Sequence, residues 1–295
     1  MSTSAITERE IRSQPEVWAR AVATAPTQGH VLGRPGERVL LLGCGTSAFV
    51  AESAASLRER AGHGEADAAY ASEWRPGRQY DRVVVISRSG TTSEVLEALA
   101  AVPAGTTKAA VVGVAGSPVA QAADETVVLD FADEESVVQT RFPTSVLALA
   151  RAALGEDLGP VVEQAADVLA APLPVDPARF EHFVFLGRSW GYGLAQEAAL
   201  KVREAAQAWS ESYPALDYRH GPVAVAGPTS LVTLFGDADD ALAADVRRTG
   251  ATVLHETLDP LVQLVQAQRL AVELATSRGL DADAPRHLTR SVVLG

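Results

Sequence analysis

Residues 83–99 read VVVISRSGTTSEVLEAL. The opening run is β-branched and apolar without alternation, as in a strand covered on both faces of a parallel sheet, and the closing residues have helical spacing. Between them stand Ser87, Ser89, Thr91 and Thr92, grouped around Gly90. A glycine-bearing turn from a buried strand into a helix lies at the carboxyl edge of an open α/β sheet, where ligands of such folds bind. Several hydroxyls beside the N–H groups of a helix N-terminus make a cradle for a phosphate that needs no lysine, whereas helix capping alone needs only one of them.

The same arrangement occurs upstream. The strand RVLLL (38–42) runs into Gly43-Cys44-Gly45-Thr46-Ser47 and then into the helical AFVAESAASLRER. Taken alone, Thr46 and Ser47 read as ordinary caps of a strand-to-helix turn. Two such turns in one domain make a shared anion pocket the better reading.

Outward from these turns, strands at Arg38–Leu42, Val83–Ser87, Ala109–Val114 and Thr126–Leu129 alternate with alanine-rich helices, after a first helix near Pro15–Ala25. Helix is expected over Thr144–Ala171, and the prolines of APLPVDP (171–177) end it in a linker. Strands at Phe183–Leu186, Leu231–Phe235 and Thr252–His255 then repeat the outline, with the turn Gly187–Gly193 corresponding to Gly43–Ser47. The expected fold is α/β: two doubly wound, flavodoxin-like parallel-sheet domains in tandem, over 1–170 and 178–280. Residues 281–295 form a short C-terminal tail over the active site.

Composition narrows the function. The 295 residues are 47% hydrophobic, enough for full-sized cores. A net charge of −12 argues against nucleic acid, and a phosphate ester must then be held by local devices rather than by a broad basic field. No apolar run approaches the ~20 residues of a membrane span, and the N-terminus lacks the apolar core of a signal peptide, so a cytoplasmic protein is expected. The single cysteine, Cys44, excludes an intrachain disulfide and reads as a packing residue. His63, His182, His255 and His287 show no metal-ligand spacing, and neither metal nor cofactor is expected. Asp237–Asp240 reads as a solvated loop, and Trp74, Trp190 and Trp209 as packing residues.

The pair GCGTS and SRSGTTSE resembles the sugar isomerase (SIS) family. The resemblance continues in order through EIRSQPEVW, ASEWR (71–75), SVVQTR (136–141), EAALKVREAAQAWSESY (197–213), YRHGP (218–222) and APRHLTRSV (284–292). Within the family, the layout is similar to the isomerase half of glucosamine-6-phosphate synthase and to amino sugar phosphate deaminase/isomerases built on the same double domain. Without room for a glutaminase domain, no glutamine-fed reaction is expected.

The resemblance implies a phosphorylated hexose or hexosamine held by Ser87, Arg88, Ser89 and Thr92, with Thr46 and Ser47 lining the sugar and Gln139 among the substrate-binding residues. It gives Glu204 the role of the general base that moves a proton between carbons 1 and 2, although Lys201 and Glu204, three apart, also read as a plain helix-surface pair. It makes His220 the ring-opening acid, supplied across a homodimer interface, an assignment that imidazole chemistry near neutral pH allows. Arg290 stands where the resemblance implies an imine-forming lysine. A guanidinium forms no imine but can still steady developing charge. Lys201 completes the expected catalytic set.

The implied activity is an amino sugar 6-phosphate isomerase/deaminase working through an enediol or enolamine. Two alternatives remain. One is a dehydratase, a β-elimination lyase acting on glucosamine 6-phosphate or N-acetylglucosamine 6-phosphate. The other is a non-catalytic sugar phosphate sensor, against which the retention of Glu204 and His220 argues.

Overall fold

A computed structural model describes residues 4–236 and 240–294, so most of the acidic stretch at Asp237–Asp240 lies outside the described residues. The chain divides into two compact units: Ser13–Val162 with Thr289–Gly295, here the first unit, and Met1–Arg12 with Glu163–Leu288, the second.

In chain order, α1 (Ala5–Arg12) belongs to the second unit. The first unit begins with α2 (Gln14–Gln28), followed by β1 (Val39–Gly43), α3 (Thr46–Arg60), β2 (Ala66–Tyr70), β3 (Arg82–Ser87) and α4 (Ser93–Ala101). It continues through β4 (Thr107–Val112), α5 (Pro118–Ala122), β5 (Glu125–Val128) and α6 (Arg141–Ala153). The unit boundary falls within α7 (Gly159–Ala170). The second unit then contains β6 (His182–Gly187), α8 (Gly191–Ala206), β7 (Trp209–Pro214), β8 (Ser230–Phe235), α9 (Asp240–Arg247), β9 (Thr252–Leu254) and α10 (Pro260–Ser277).

Each unit is built on a wholly parallel sheet. The strand order is β2-β1-β3-β4-β5 in the first and β7-β6-β8-β9 in the second. The second order repeats the first four positions of the first, as the duplication in the sequence predicts. In both, the first two strands in sequence are neighbours and the third lies on the other side of the first. This reversal opens a crevice at the carboxyl ends of β1 and β3 in one unit and of β6 and β8 in the other.

These four strands are buried along their whole length, in keeping with their predominantly apolar sequences. The edge strands β2 and β7 went unmarked in the sequence. ADAAY and WSESYP are partly exposed and mostly polar or small, as edge strands tolerate. The single helix expected over 144–171 is two helices. The chain turns at Gly155, whose φ of +90° suits glycine, and Arg151 bridges the break to Glu156 at 2.8 Å.

Among the buried arginines of the first unit, one is held by two carboxylates. Arg82, 1% exposed at the start of β3, pairs with Glu37 at 2.9 Å and Glu125 at 2.6 Å. Burial pushes the Glu37 carboxyl up, but the Arg82 guanidinium and the Arg34 amide outweigh it and hold the group below its usual range. In the second unit, Asp283 accepts the backbone N–H groups of Ile6 and Thr7 at 2.9 and 2.8 Å, capping the short α1 from a distant part of the chain.

Replacing Arg82 by Met leaves two carboxylates without their cation, and since both are partly exposed a loss of about 2 kcal/mol in urea unfolding at pH 7 is expected. A carboxyl held below its unfolded value stabilises above that value. The wild-type advantage therefore shrinks as pH falls through about 4 and below. A gap between the two proteins that does not change with pH counts against this pairing.

Candidate functional site

In the first unit, the two hydroxyl-bearing turns emerge from the adjacent strands β1 and β3, at the crevice of the sheet. Close contact fixes both, with backbone at the first turn and with a side chain at the second. A β-carbon on Gly43 would lie 2.4 Å from the Ser47 carbonyl carbon, so only glycine lets α3 begin this close to β1. A β-carbon on Gly90, whose φ is +64°, would lie 2.0 Å from Ser117 Oγ.

Thr46 and Ser47 open α3 and are 4% and 5% exposed. Ser87 Oγ accepts the Gly90 N–H at 3.2 Å, and Ser89 Oγ accepts the Thr91 N–H at 3.3 Å. Thr92 occupies the N-cap position of α4 but its side chain makes no capping bond, so the capping alternative is not what this hydroxyl does. Gln139 is half-buried, and its Oε1 accepts no hydrogen bond from the described residues. Arg88 is buried. Its guanidinium donates to the carbonyls of Ser136 at 2.6 Å, Glu134 at 3.4 Å and Arg290, bracing those segments against the turn.

Arg290 makes a two-pronged pair with Asp133 at 2.7 and 2.6 Å, and its Nε donates to the Glu134 carbonyl at 3.0 Å. The guanidinium expected to steady charge is therefore already engaged by a carboxylate.

In the second unit, α8 has its own charged arrangement. Lys201 Nζ, 1% exposed, lies 3.2 Å from Glu197 and 2.5 Å from Glu204. The spacings i, i+4 and i, i+3 set all three on one face of the helix. Burial works against the ammonium, but the two carboxylates outweigh it and push the Lys201 pKa up, so the lysine is a fixed cation and not a base. Glu197 is wholly buried, whereas the Glu204 side chain keeps 18% of its surface exposed. The pair reading of Lys201 and Glu204 is thus incomplete. Glu197 is the partner that the sequence reading missed, although its spacing from Lys201 signalled it.

His220 ends a short 3-10 turn, Ala215–His220, which is anchored by the fully buried Tyr218. Gly221 follows at φ +143°, and the imidazole is left exposed. It borders a recess of about 460 Å³ at the carboxyl ends of β6 and β7, together with Arg188, Tyr192 and Asp217. A second recess, of about 440 Å³, lies between α1 and α10. There Arg12 and Arg269 donate to the last carbonyls of α7, closing that helix end.

Two further residues of the first-unit crevice were not legible. Ser117 lies beneath Gly90, and Glu94 on α4 has an oxygen buried without a hydrogen bond. Burial pushes the Cys44 thiol up and the neighbouring Glu94 adds to this, in keeping with a packing cysteine. Among the described residues there is no cluster of metal-binding side chains, and no helix is long and apolar enough to cross a membrane.

Residues 34–154 match the family model of the SIS domain. Relatives include the isomerizing glutamine–fructose-6-phosphate aminotransferases of Bradyrhizobium diazoefficiens, 30% identical over 88% of this chain, and of a Nostoc species, 36% identical over 40% of it. The chain spans 52% and 23% of their respective lengths. Among solved structures, a glucosamine-6-phosphate deaminase from Thermotoga maritima superposes with a TM-score of 0.84 at 27% identity, covering 98% of this chain and 99% of that one. A tagatose-6-phosphate ketose/aldose isomerase from Escherichia coli gives 0.78 at 20% identity, over 98% and 96% of the two chains, and shows the shared fold. The chain carries a SIS domain in its first half, and its two parallel sheets are consistent with SIS-like doubly wound domains in tandem.

Replacing Lys201 by Met leaves the buried Glu197 carboxylate without its ammonium, and a loss of about 3 kcal/mol in denaturant unfolding is expected. Adding Glu197→Gln should recover part of that loss, because the uncompensated charge is then gone. A double variant no more stable than Lys201→Met alone would argue against the ladder as described.

Proposed function

We propose that this protein is an amino sugar 6-phosphate isomerase/deaminase acting on a substrate like glucosamine 6-phosphate. The observation that carries the reading is the α8 ladder: a partly exposed carboxylate, Glu204, held 2.5 Å from a buried ammonium that is itself held by Glu197. Such an arrangement fixes the direction of one carboxylate and leaves it a face toward solvent, which suits a group that takes and returns a proton. The deaminase from Thermotoga maritima, similar over nearly the whole of both chains, supports the substrate class.

In this reading, the phosphate is anchored by Ser87, Ser89, Thr91 and Thr92, and the sugar is lined by Thr46, Ser47 and Gln139. His220 protonates the ring oxygen as the ring opens. Glu204 takes the carbon 2 proton, leaving an enolamine, and its carboxyl, open to exchange with solvent on its exposed side, delivers a proton to carbon 1. Water then adds to the resulting ketimine and ammonia leaves, giving the ketose phosphate. Arg290, bound to Asp133, holds its segment in place and forms no imine.

A homodimer completes the reading, with His220 acting in the partner's site. Its support is the exposure of the imidazole on a turn flanked by Leu216 and Val225, which are 44% and 65% exposed. Apolar side chains left outside a well-packed unit suit contact with a second copy.

The test is incubation with glucosamine 6-phosphate, galactosamine 6-phosphate and N-acetylglucosamine 6-phosphate, following ammonia, ketose and ultraviolet absorbance. Ammonia and ketose from a free amino sugar are expected, with kcat reduced roughly 10²–10⁴-fold in Glu204→Gln. A new chromophore without ammonia would replace this reading with the dehydratase, and binding without turnover with the sensor.

A further inference from the structure

Segment 289–294 lies on the hydroxyl cradle of the first unit, and its contacts there copy those of an anion. Ser291 Oγ sits 2.8 Å from Thr91 Oγ1 and 3.1 Å from Ser89 Oγ, so one oxygen atom bridges the two hydroxyls at hydrogen-bond range. One residue further on, the Val292 carbonyl accepts the N–H of Ser93, the first residue of α4, at 3.4 Å. That N–H is one of the donors a helix N-terminus leaves open, of the kind phosphates occupy. A hydroxyl oxygen and a carbonyl oxygen of the same short segment thus take both kinds of donor that the cradle offers.

The segment is anchored at Arg290, whose carbonyl accepts from the buried Arg88 guanidinium and whose Nε donates to the Glu134 carbonyl at 3.0 Å, and beyond that residue the hold is weak. The Arg290 side chain is 42% exposed where it meets Asp133, and ion pairs so open to water contribute little. Val292, Val293 and Leu294 are 52%, 67% and 58% exposed, so little apolar surface anchors the segment. Beyond Val292, the Leu294 N–H to Ser93 Oγ contact at 3.0 Å adds one neutral hydrogen bond. A phosphate brings formal charge to the same donors, and charge-assisted bonds are about twice as strong as neutral ones.

We propose that Ser291 is the resident occupant of the anion seat in the cradle, and that a phosphate group entering it displaces Ser291 and the residues that follow it, pivoting on the anchored Arg290. The proposal rests on the reading of the cradle as a phosphate seat. It makes residues 291–294 a built-in competitor that weakens the apparent affinity for phosphate and refills the seat when product leaves.

The test is calorimetric titration of wild type, Ser291→Ala, Ser291→Asp and Ser89→Ala with inorganic phosphate and with glucosamine 6-phosphate, each variant first checked by thermal melting. Removing a bridging hydroxyl removes a competitor worth one or two neutral hydrogen bonds, so Ser291→Ala should bind both about three- to tenfold more tightly. Ser291→Asp places a like charge beside the seat and should weaken both. Weaker binding by Ser291→Ala would overturn the proposal, showing that the hydroxyl helps to hold the phosphate. Unchanged binding would overturn it too, showing that the seat lies elsewhere. Failure of the underlying reading looks different: phosphate would not bind wild type at all, or would bind Ser89→Ala as it binds wild type, and the proposal would fall with it.

Discussion

A strand that runs directly into the first turn of a helix leaves no room for a side chain at the strand's last residue. In the first unit that residue is Gly43 against Ser47, and in the second it is Gly187, whose β-carbon would lie 2.2 Å from the Gly191 carbonyl oxygen. The close approach brings the N-termini of α3 and α8 to the carboxyl edge of their sheets, and the rest of each unit's functional surface is arranged around this contact. Glycine is required at these positions by backbone contact and not by flexibility.

From the same scaffold, the two units developed opposite chemistry. The first surrounds its crevice with neutral donors: hydroxyls at Ser87, Ser89, Thr91 and Thr92 and the N-terminus of α4. In the proposed reading this is how a chain of net charge −12 offers a seat to an anion, because oriented dipoles at short range do not require net positive charge. The second concentrates formal charge along one helix, where Lys201 would be unstable as a buried cation without Glu197 and Glu204.

Much of this was legible in the sequence, for identifiable reasons. The fully buried strands β1, β3, β6 and β8 are dominated by apolar residues, and the turns after β1 and β3 carry their glycines and hydroxyls in plain order. The edge strands β2 and β7 do not stand out because ADAAY and WSESYP are partly exposed over most of their length and carry neither an apolar run nor an apolar–polar alternation. The break between α6 and α7 was passed over because a lone glycine at position 155 does not by itself end a helix pattern. At the candidate site, local spacing relates Glu197 to Lys201, but nothing local relates Asp133 to Arg290 or Ser291 to Thr91, some 157 and 200 residues apart in the chain. Such long-range pairs arise only from the folded chain. Thr92, by contrast, shows a sequence alternative being narrowed, since it occupies a capping position without capping.

The central claim is that Glu204 moves a proton between the first two carbons of a phosphorylated amino sugar. Its most direct test is proton NMR of glucosamine 6-phosphate incubated with the protein in D₂O. The account predicts that signal at carbon 2 is lost to deuterium in the remaining substrate, or that deuterium appears at carbon 1 of the ketose, with wild type and not with Glu204→Gln. Substrate that binds yet keeps its carbon 2 proton throughout, or exchange that persists in Glu204→Gln, would contradict it.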